Sequence, residues 1–144
     1  MSVIAQQPIH VFDKALQDAN RWLAEIGAEM RDRNILHAYH ALRGTLFALR
    51  DRLPPEEAVQ LAAQLPALVR GVFYEGYRLA GKPAKMDRDE FLEYVRRELD
   101  PVQGPAAEPT ARAVLGVLRK RIAAGELEDI RAAMPKDLRS LWPD

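Results

Sequence analysis

The sequence contains no cysteine among its 144 residues. This absence excludes disulfide frameworks, thiol catalysis, thiolate metal sites and redox switching. An excess of either charge is also missing, because 21 Lys and Arg residues are balanced by 21 Asp and Glu residues. Binding to nucleic acid or to an anionic membrane normally depends on a one-sided basic excess, so neither is expected here.

Long apolar runs are missing as well. Nowhere do about 18 apolar residues follow one another, which is the length that a membrane span needs. Residues 1–7 have neither the basic start nor the apolar centre of a secretory signal. We therefore expect a cytoplasmic protein. An apolar content of 48% and a charged content of 29% indicate a folded chain rather than a disordered one.

Apolar residues recur at steps of three and four along most of the chain, which is the period of an amphipathic helix. In the first predicted helix, residues 10–31, this stripe comprises Val11, Ala15, Ala19, Trp22, Leu23, Ile26 and Met30. In the second helix, which follows a predicted N-cap at Asn34, it comprises Ile35, Ala38, Leu42, Leu46, Leu49 and Leu53. No alternating apolar run of strand length is present, so we predict an all-α fold.

Prolines divide the following part of the chain into further helices. Pro55 begins a third helix, with apolar residues at Val59, Leu61, Ala62 and Leu65, and Pro66 begins a fourth that runs through Leu68, Val69, Val72, Phe73 and Tyr77. Asp87 and Glu90 have the spacing of a capping box, which predicts a fifth helix over residues 88–99. A long helix from Pro109 and two short helices, residues 127–134 and 135–142, complete the prediction.

A shift of 69 residues aligns one half of the sequence with the other. The pairs include Arg43 with Arg112, Leu46 with Leu115, Arg50 with Arg119, Glu57 with Glu126, Pro66 with Pro135, Arg70 with Arg139 and Phe73 with Trp142. We therefore predict a compact helical bundle of two similar multi-helix repeats, about residues 10–78 and 87–143, joined by a linker over residues 79–86. Because one repeat cannot bury its apolar stripes alone, both share a single domain, residues 10–144, after an N-terminal tail of residues 1–9.

The two repeats differ after Phe73, where only the first continues with further aromatic residues. On a continuing helix, Phe73 and Tyr77 share one face, and Tyr74 and Arg78 share the next; alternatively, Gly76 ends the helix. Tyr and Arg are enriched at protein contacts. Tyr74, Tyr77 and Arg78 are therefore the candidate partner-contact residues, and the leading hypothesis is a non-enzymatic module that binds a protein partner or forms a homo-oligomer.

The alternative hypothesis is a small-molecule, anion or metal-binding protein that uses a cleft between the repeats. Arg70, Arg119 and Arg121 are candidate anion ligands, although basic residues in the last turn of a helix also interact favourably with its carbonyl end. His37 and His40, three residues apart, are weak candidates for a shared metal, because two imidazoles are an incomplete ligand set. No cofactor is predicted.

A catalytic constellation is not recognisable in the sequence. Serine occurs only at Ser2 and Ser140, neither of which is in a nucleophile-elbow motif, and Gly81 with Lys82 lacks the rest of a phosphate loop. The carboxylate groups at residues 56–57 and 126–129 lie in the first turns of predicted helices, where negative charge is favourable without a catalytic role.

Several motifs also occur in a known bacterial family. They are the stretch Ala41-Leu-Arg43, the stretch Leu49-Arg-Asp-Arg-Leu53, the stretch Leu61-Ala-Ala-Gln-Leu-Pro66 with Arg70-Gly71, the triplet Tyr74-Glu-Gly76 and the closing Leu138-Arg-Ser-Leu-Trp-Pro143. In these motifs the chain resembles the family called domain of unknown function 2267 over roughly residues 10–143. The resemblance implies a small helical cytoplasmic protein and no established activity, cofactor or catalytic residue.

Overall fold

The computed structural model describes residues 9–99 and 104–143, so most of the predicted N-terminal tail lies outside it. Within these ranges the chain forms eight α-helices and no β-strand, which confirms the predicted all-α class for the described part. The helices are α1 (His10–Met30), α2 (Ile35–Arg52), α3 (Pro55–Ala63), α4 (Ala67–Tyr74), α5 (Arg88–Arg97), α6 (Ala107–Arg121), α7 (Ala124–Ala133) and α8 (Lys136–Arg139).

Local capping sets several helix starts where the sequence predicted them. The side chain of Asn34 accepts a hydrogen bond from the Leu36 amide at 3.0 Å at the start of α2. Asp87 and Glu90 form the predicted capping box, because each side chain accepts a hydrogen bond from the other residue's amide. Pro55 occupies the first turn of α3, where no amide hydrogen is required.

The central helix of the bundle is α2, which packs against α1, α4, α5 and α6. Helix α1 also packs against α4 and α6, α3 packs against α4 and α7, and α5 packs against α6 and α8. Buried side chains from all eight helices form one hydrophobic cluster, in which Phe73 and Phe91 are the largest fully buried residues. Any surface built on α2 and α4 is therefore supported directly by the core.

Helix boundaries recur at the 69-residue offset. The pairs are the ends of α2 and α6 at Arg52 and Arg121, the starts of α3 and α7 at Pro55 and Ala124, and the starts of α4 and α8 at Ala67 and Lys136. These correspondences agree with the two-repeat organisation, which stays a prediction.

The fourth helix is shorter than predicted. Helix α4 ends at Tyr74, and Gly76 has a φ of 71° in the turn that follows. A left-handed backbone conformation costs glycine little, because it has no Cβ. Tyr77 and Arg78 therefore lie outside the helix, and the prediction of helical faces shared by Phe73 with Tyr77 and by Tyr74 with Arg78 is wrong.

Four apolar residues that the stripes assign to the buried side of a helix are exposed instead. They are Val11, Ile35, Val59 and Leu68. An apolar stripe predicts a buried face only where another element packs against it. In α1 the residues that are buried begin at Trp22, so the first turns of this helix, with Val11, have no such cover.

Helices α2 and α5 approach each other closely at Gly44. A Cβ added at Gly44 would lie 2.8 Å from the Val95 carbonyl oxygen and 3.2 Å from Cβ of Glu98. Because the nearest atom belongs to the backbone, the helices must move apart to admit it. We expect Gly44→Ala to lower the free energy of unfolding by about 2 kcal/mol in urea denaturation followed by circular dichroism.

Gly71 in α4 is the matched control, because a Cβ there meets nothing within 4 Å. Gly71→Ala is expected to raise the free energy of unfolding by about 0.5–1 kcal/mol, since alanine has the higher helix propensity. Equal effects of the two substitutions would show that α2 and α5 are not in close contact at Gly44.

Candidate interaction surface

Arg50, near the end of α2, is a buried cation with 6% of its surface exposed. Its guanidinium donates hydrogen bonds to the backbone carbonyl oxygens of Phe73, at 2.8 Å, and of Glu75. Its Nε lies 3.2 Å from Oδ1 of Asp51. A charge removed from water is tolerated only with such partners. Arg50 therefore holds the last turn of α4 and the following turn against α2.

Aromatic rings surround the Arg50 guanidinium. Its central carbon lies 4.1 Å from the ring centroid of Phe47 and 5.6 Å from that of Tyr77. The Arg43 guanidinium lies 4.7 Å from the same Phe47 centroid, so this ring contacts two cations. Each desolvated contact of this kind stabilises the fold by about 1–2 kcal/mol.

Tyr77 supports this cluster from within. Its side chain is half-buried, and its hydroxyl has no hydrogen-bond partner among the described residues. Burial and then the charge of Asp51 raise the pKa of Tyr77, so the phenol stays neutral. The ring thus contributes apolar and cation-facing contacts rather than a titratable group.

Arg43 joins three elements at the surface side of the cluster. Its Nε donates to the Glu98 carboxylate at 3.0 Å, and its terminal nitrogen pairs with the Glu75 carboxylate. The hydrogen bond from Arg43 lowers the pKa of Glu75 and, in turn, the Glu75 carboxylate raises the pKa of Arg43. Because Glu75 follows α4 and Glu98 follows α5, this one side chain on α2 fixes both.

Asp51 holds the segment that follows the turn at Gly76. Its backbone oxygen accepts a hydrogen bond from the Ala84 amide at 2.7 Å, and its Oδ1 lies 3.9 Å from the Lys82 ammonium nitrogen. Arg50 and Asp51, which are adjacent in sequence, therefore fix the two ends of the segment over residues 75–84. We call these contacts of Arg50 and Asp51 the α2 clamp.

The second unit differs at the positions that correspond to the clamp. At the 69-residue offset, Arg50 corresponds to Arg119, which is exposed, and Asp51 corresponds to Lys120. The Lys120 ammonium pairs with Glu29 on α1 at 2.8 Å. The ion pair of Asp51 with Lys82 is therefore specific to the first unit.

The three predicted contact residues have different surroundings. Tyr74 is 36% exposed, and its ring centroid lies 5.4 Å from that of Phe73 and 6.3 Å from that of Tyr77. Arg78 is exposed and has neither a hydrogen bond nor an ion pair within the part of the chain that the structure describes. Tyr74 and Arg78 thus reach the surface, whereas Tyr77 lies mainly beneath it. Leu79, which sequence reasoning did not single out, is exposed beside Arg78.

All three predicted anion residues, Arg70, Arg119 and Arg121, interact with other groups of the protein. Arg70 donates to the carbonyl oxygens of Ala62, at 2.9 Å, and Leu65, at 2.8 Å, at the end of α3. The Arg121 Nε donates to Glu25 on α1 at 2.9 Å, and this hydrogen bond lowers the pKa of Glu25. The Arg70 contacts cap the end of α3, and the Arg121 contact joins α6 to α1.

The two predicted metal candidates have separate partners. The Nδ1 atom of His37 lies 2.6 Å from Oδ2 of Asp32. The His40 ring contacts the Tyr39 ring, with the two centroids 5.3 Å apart, and its Nδ1 is buried without a hydrogen-bond partner among the described residues. Neither histidine belongs to a group of three potential metal ligands in residues 9–99 and 104–143.

One group of carboxylates was missed by sequence reasoning. Oxygen atoms of Glu57 on α3 and of Glu126 and Asp129 on α7 all lie within 4.8 Å of one another. Burial and then the neighbouring Glu57 carboxyl raise the pKa of Glu126 to about 7. The 69-residue offset could have indicated this group, because it makes Glu57 and Glu126 equivalent positions. The structure adds the packing of α3 against α7.

No helix in the described ranges has both the length and the apolar character that crossing a membrane requires. Together, the fold and the α2 clamp define a small all-helical protein that presents an aromatic and basic surface next to its central helix.

Comparison with known protein families matches residues 19–141 to the uncharacterized conserved proteins of DUF2267. Because the match covers most of the chain, this protein belongs to that family, which confirms the resemblance seen in its motifs. No curated protein matches the chain.

Proposed function

We propose that this protein is a non-enzymatic interaction module that binds a protein partner through Tyr74, Arg78 and Leu79. The observation that carries the proposal is the α2 clamp, because buried Arg50 fixes the turn from which these side chains extend. A fixed backbone lowers the entropy cost of binding. We also propose a cytoplasmic location without a cofactor, on the grounds given by the sequence.

The exposed side chains indicate the chemistry of the partner. Tyr74 and Leu79 offer apolar surface, and the Arg78 guanidinium is free to bind an anion. Arginine binds carboxylates through paired hydrogen bonds, and aromatic residues and arginine carry much of the binding energy in protein interfaces. The matching partner is therefore a protein segment with an apolar side chain next to an Asp or Glu residue.

The alternative of an anion or metal site between the repeats has weaker support. Arg70 and Arg121 already donate to groups of the protein, and His37 pairs with Asp32. Arg119 also interacts with another group of the protein.

Affinity capture with a paired variant tests the proposed partner contact. The wild-type chain is immobilised on a resin and incubated with an extract of the source organism. It is expected to retain a protein whose retained amount is at least about tenfold lower on the double variant Tyr74→Ala/Arg78→Ala. The control is the double variant Val59→Ala/Gln60→Ala on the exposed side of α3. Equal retention by the wild type and both variants would contradict the proposal.

A further inference from the structure

The first half of α1 carries an apolar seam without cover in the described structure. Ile9, the N-cap residue of α1, and Phe12 and Leu16 in the helix are 50%, 71% and 54% exposed, and they lie three and four residues apart. The same spacing continues through Ala19 to Leu23. This is the heptad pattern by which one helix packs along another.

An apolar groove runs beside the second half of this seam. Leu16, Asn20 and Leu23 of α1 form one wall and Leu68 and Val72 of α4 form the other. The groove holds about 210 Å³. It is a recess large enough to receive an aromatic side chain from outside the domain.

We infer that a second copy of this chain occupies the groove, with its α1 antiparallel to the first α1 and a twofold axis at Leu16. Because the helices are antiparallel, a residue before Leu16 in one copy lies at the same height along the helix pair as the residue equally far after Leu16 in the other copy. Phe12 of each copy then reaches the level of Asn20 in the other, where the groove lies, and Ile9 reaches the level of Leu23. The same chain therefore provides both the protruding ring and the recess, as a symmetric interface requires.

Charge and area also favour a second copy. The chain has a formal net charge of zero, so two copies do not repel each other at long range. A half-exposed large apolar side chain offers about 100 Å², so the seam and the groove walls bring roughly 500 Å² of each copy into contact. A total near 1,000 Å² is at the lower limit of specific interfaces. The dimer is accordingly expected to be weak and reversible, as interfaces near this limit are.

This inference is independent of the partner contact at Tyr74 and Arg78. Sedimentation equilibrium over about 10–500 µM chain is expected to show a monomer–dimer equilibrium for the wild type. Phe12→Ala is expected to raise the Kd at least about tenfold, and Leu16→Glu to abolish the dimer because it places two carboxylates at the twofold axis. Because both residues are exposed in the monomer, circular dichroism of the variants is expected to match the wild type.

Val11→Ala is the matched control. Val11 is 70% exposed, as Phe12 is, but it lies on another side of the helix from Leu16. This variant is expected to dimerise as the wild type does, and so is Tyr74→Ala/Arg78→Ala. A wild type that is monomeric throughout, or a dimer that is unaffected by Phe12→Ala and Leu16→Glu, would overturn the inference.

Oxidative cross-linking gives a second readout. Because the chain has no cysteine, Leu16→Cys introduces a single thiol. At a twofold axis the two thiols of a dimer meet, so this variant is expected to form an interchain disulfide, whereas Val11→Cys is expected to remain mainly monomeric. Equal cross-linking of the two variants would contradict the α1 seam as the interface.

Discussion

Arg50→Ala is expected to lower the free energy of unfolding by about 3 kcal/mol, because it breaks a buried and hydrogen-bonded charge pair. The substitution leaves the carbonyl oxygens of Phe73 and Glu75 without their donor and removes the buried partner of Asp51. It also removes the cation between the rings of Phe47 and Tyr77. Urea denaturation followed by circular dichroism measures the loss.

Arg33→Ala is the control for Arg50→Ala, because Arg33 is exposed and its side chain has neither a hydrogen bond nor an ion pair in the described part of the chain. Its expected effect is about 0.5 kcal/mol, as for most surface substitutions. Arg50→Lys is expected to recover only part of the loss, since an ammonium cannot reproduce the planar guanidinium with its several donors. If Arg50→Ala and Arg33→Ala cost the same, Arg50 does not clamp the end of α4.

The free energy of unfolding is expected to fall by about 2 kcal/mol between about pH 5 and pH 8. The pKa of Glu126 is about 7 in the folded chain, against an ordinary value of 4.5. Between these values the folded chain binds more protons than the unfolded chain, so its stability decreases as the pH rises. The expected loss is smaller than the full shift allows, because the carboxylate keeps some contact with solvent.

Acid pH is expected to lower the stability of the folded chain through other carboxylates, in a separate pH range. Ion pairs with arginines lower the pKa of Glu25, Glu75 and Glu108. Their contributions are present above about pH 4.5 and are lost as the pH falls through the lowered values. Stability is therefore expected to be highest near pH 5, and thermal unfolding across a pH series measures both slopes.

Glu126→Gln tests the assignment of the alkaline slope. Glutamine keeps the shape of the side chain without the charge, so the variant is expected to lose most of the dependence between about pH 5 and pH 8. Glu128→Gln, an exposed residue on the same helix, is expected to retain it. An unchanged slope in Glu126→Gln would assign the pH dependence to another group.

Local features of the fold are the ones that the sequence predicts well. The Asn34 cap, the Asp87–Glu90 capping box and the start of α3 at Pro55 each depend on residues within one turn. Their physical cause lies in the neighbouring backbone, so no knowledge of the tertiary structure is required.

The candidate surface depends on contacts that a local pattern does not contain. Arg50 and Arg119 have similar sequence surroundings, but only Arg50 is buried, because residues 73–84 pack over it. The meeting of Glu57 with Glu126 likewise joins residues 69 positions apart. The sequence allows either a helix that continues through Tyr77 or one that Gly76 ends; in the structure Gly76 introduces a turn, and the Tyr77 ring lies next to Arg50.

The proposed contact of Tyr74 with a protein partner is open to a test in the cell. Photocross-linking in the source organism tests it directly, with benzoylphenylalanine placed at position 74 and, as the control, at position 59 on α3. We expect a discrete cross-linked protein product from position 74 that position 59 does not give. Cross-links of equal yield from both positions, or none from position 74, would contradict the proposal.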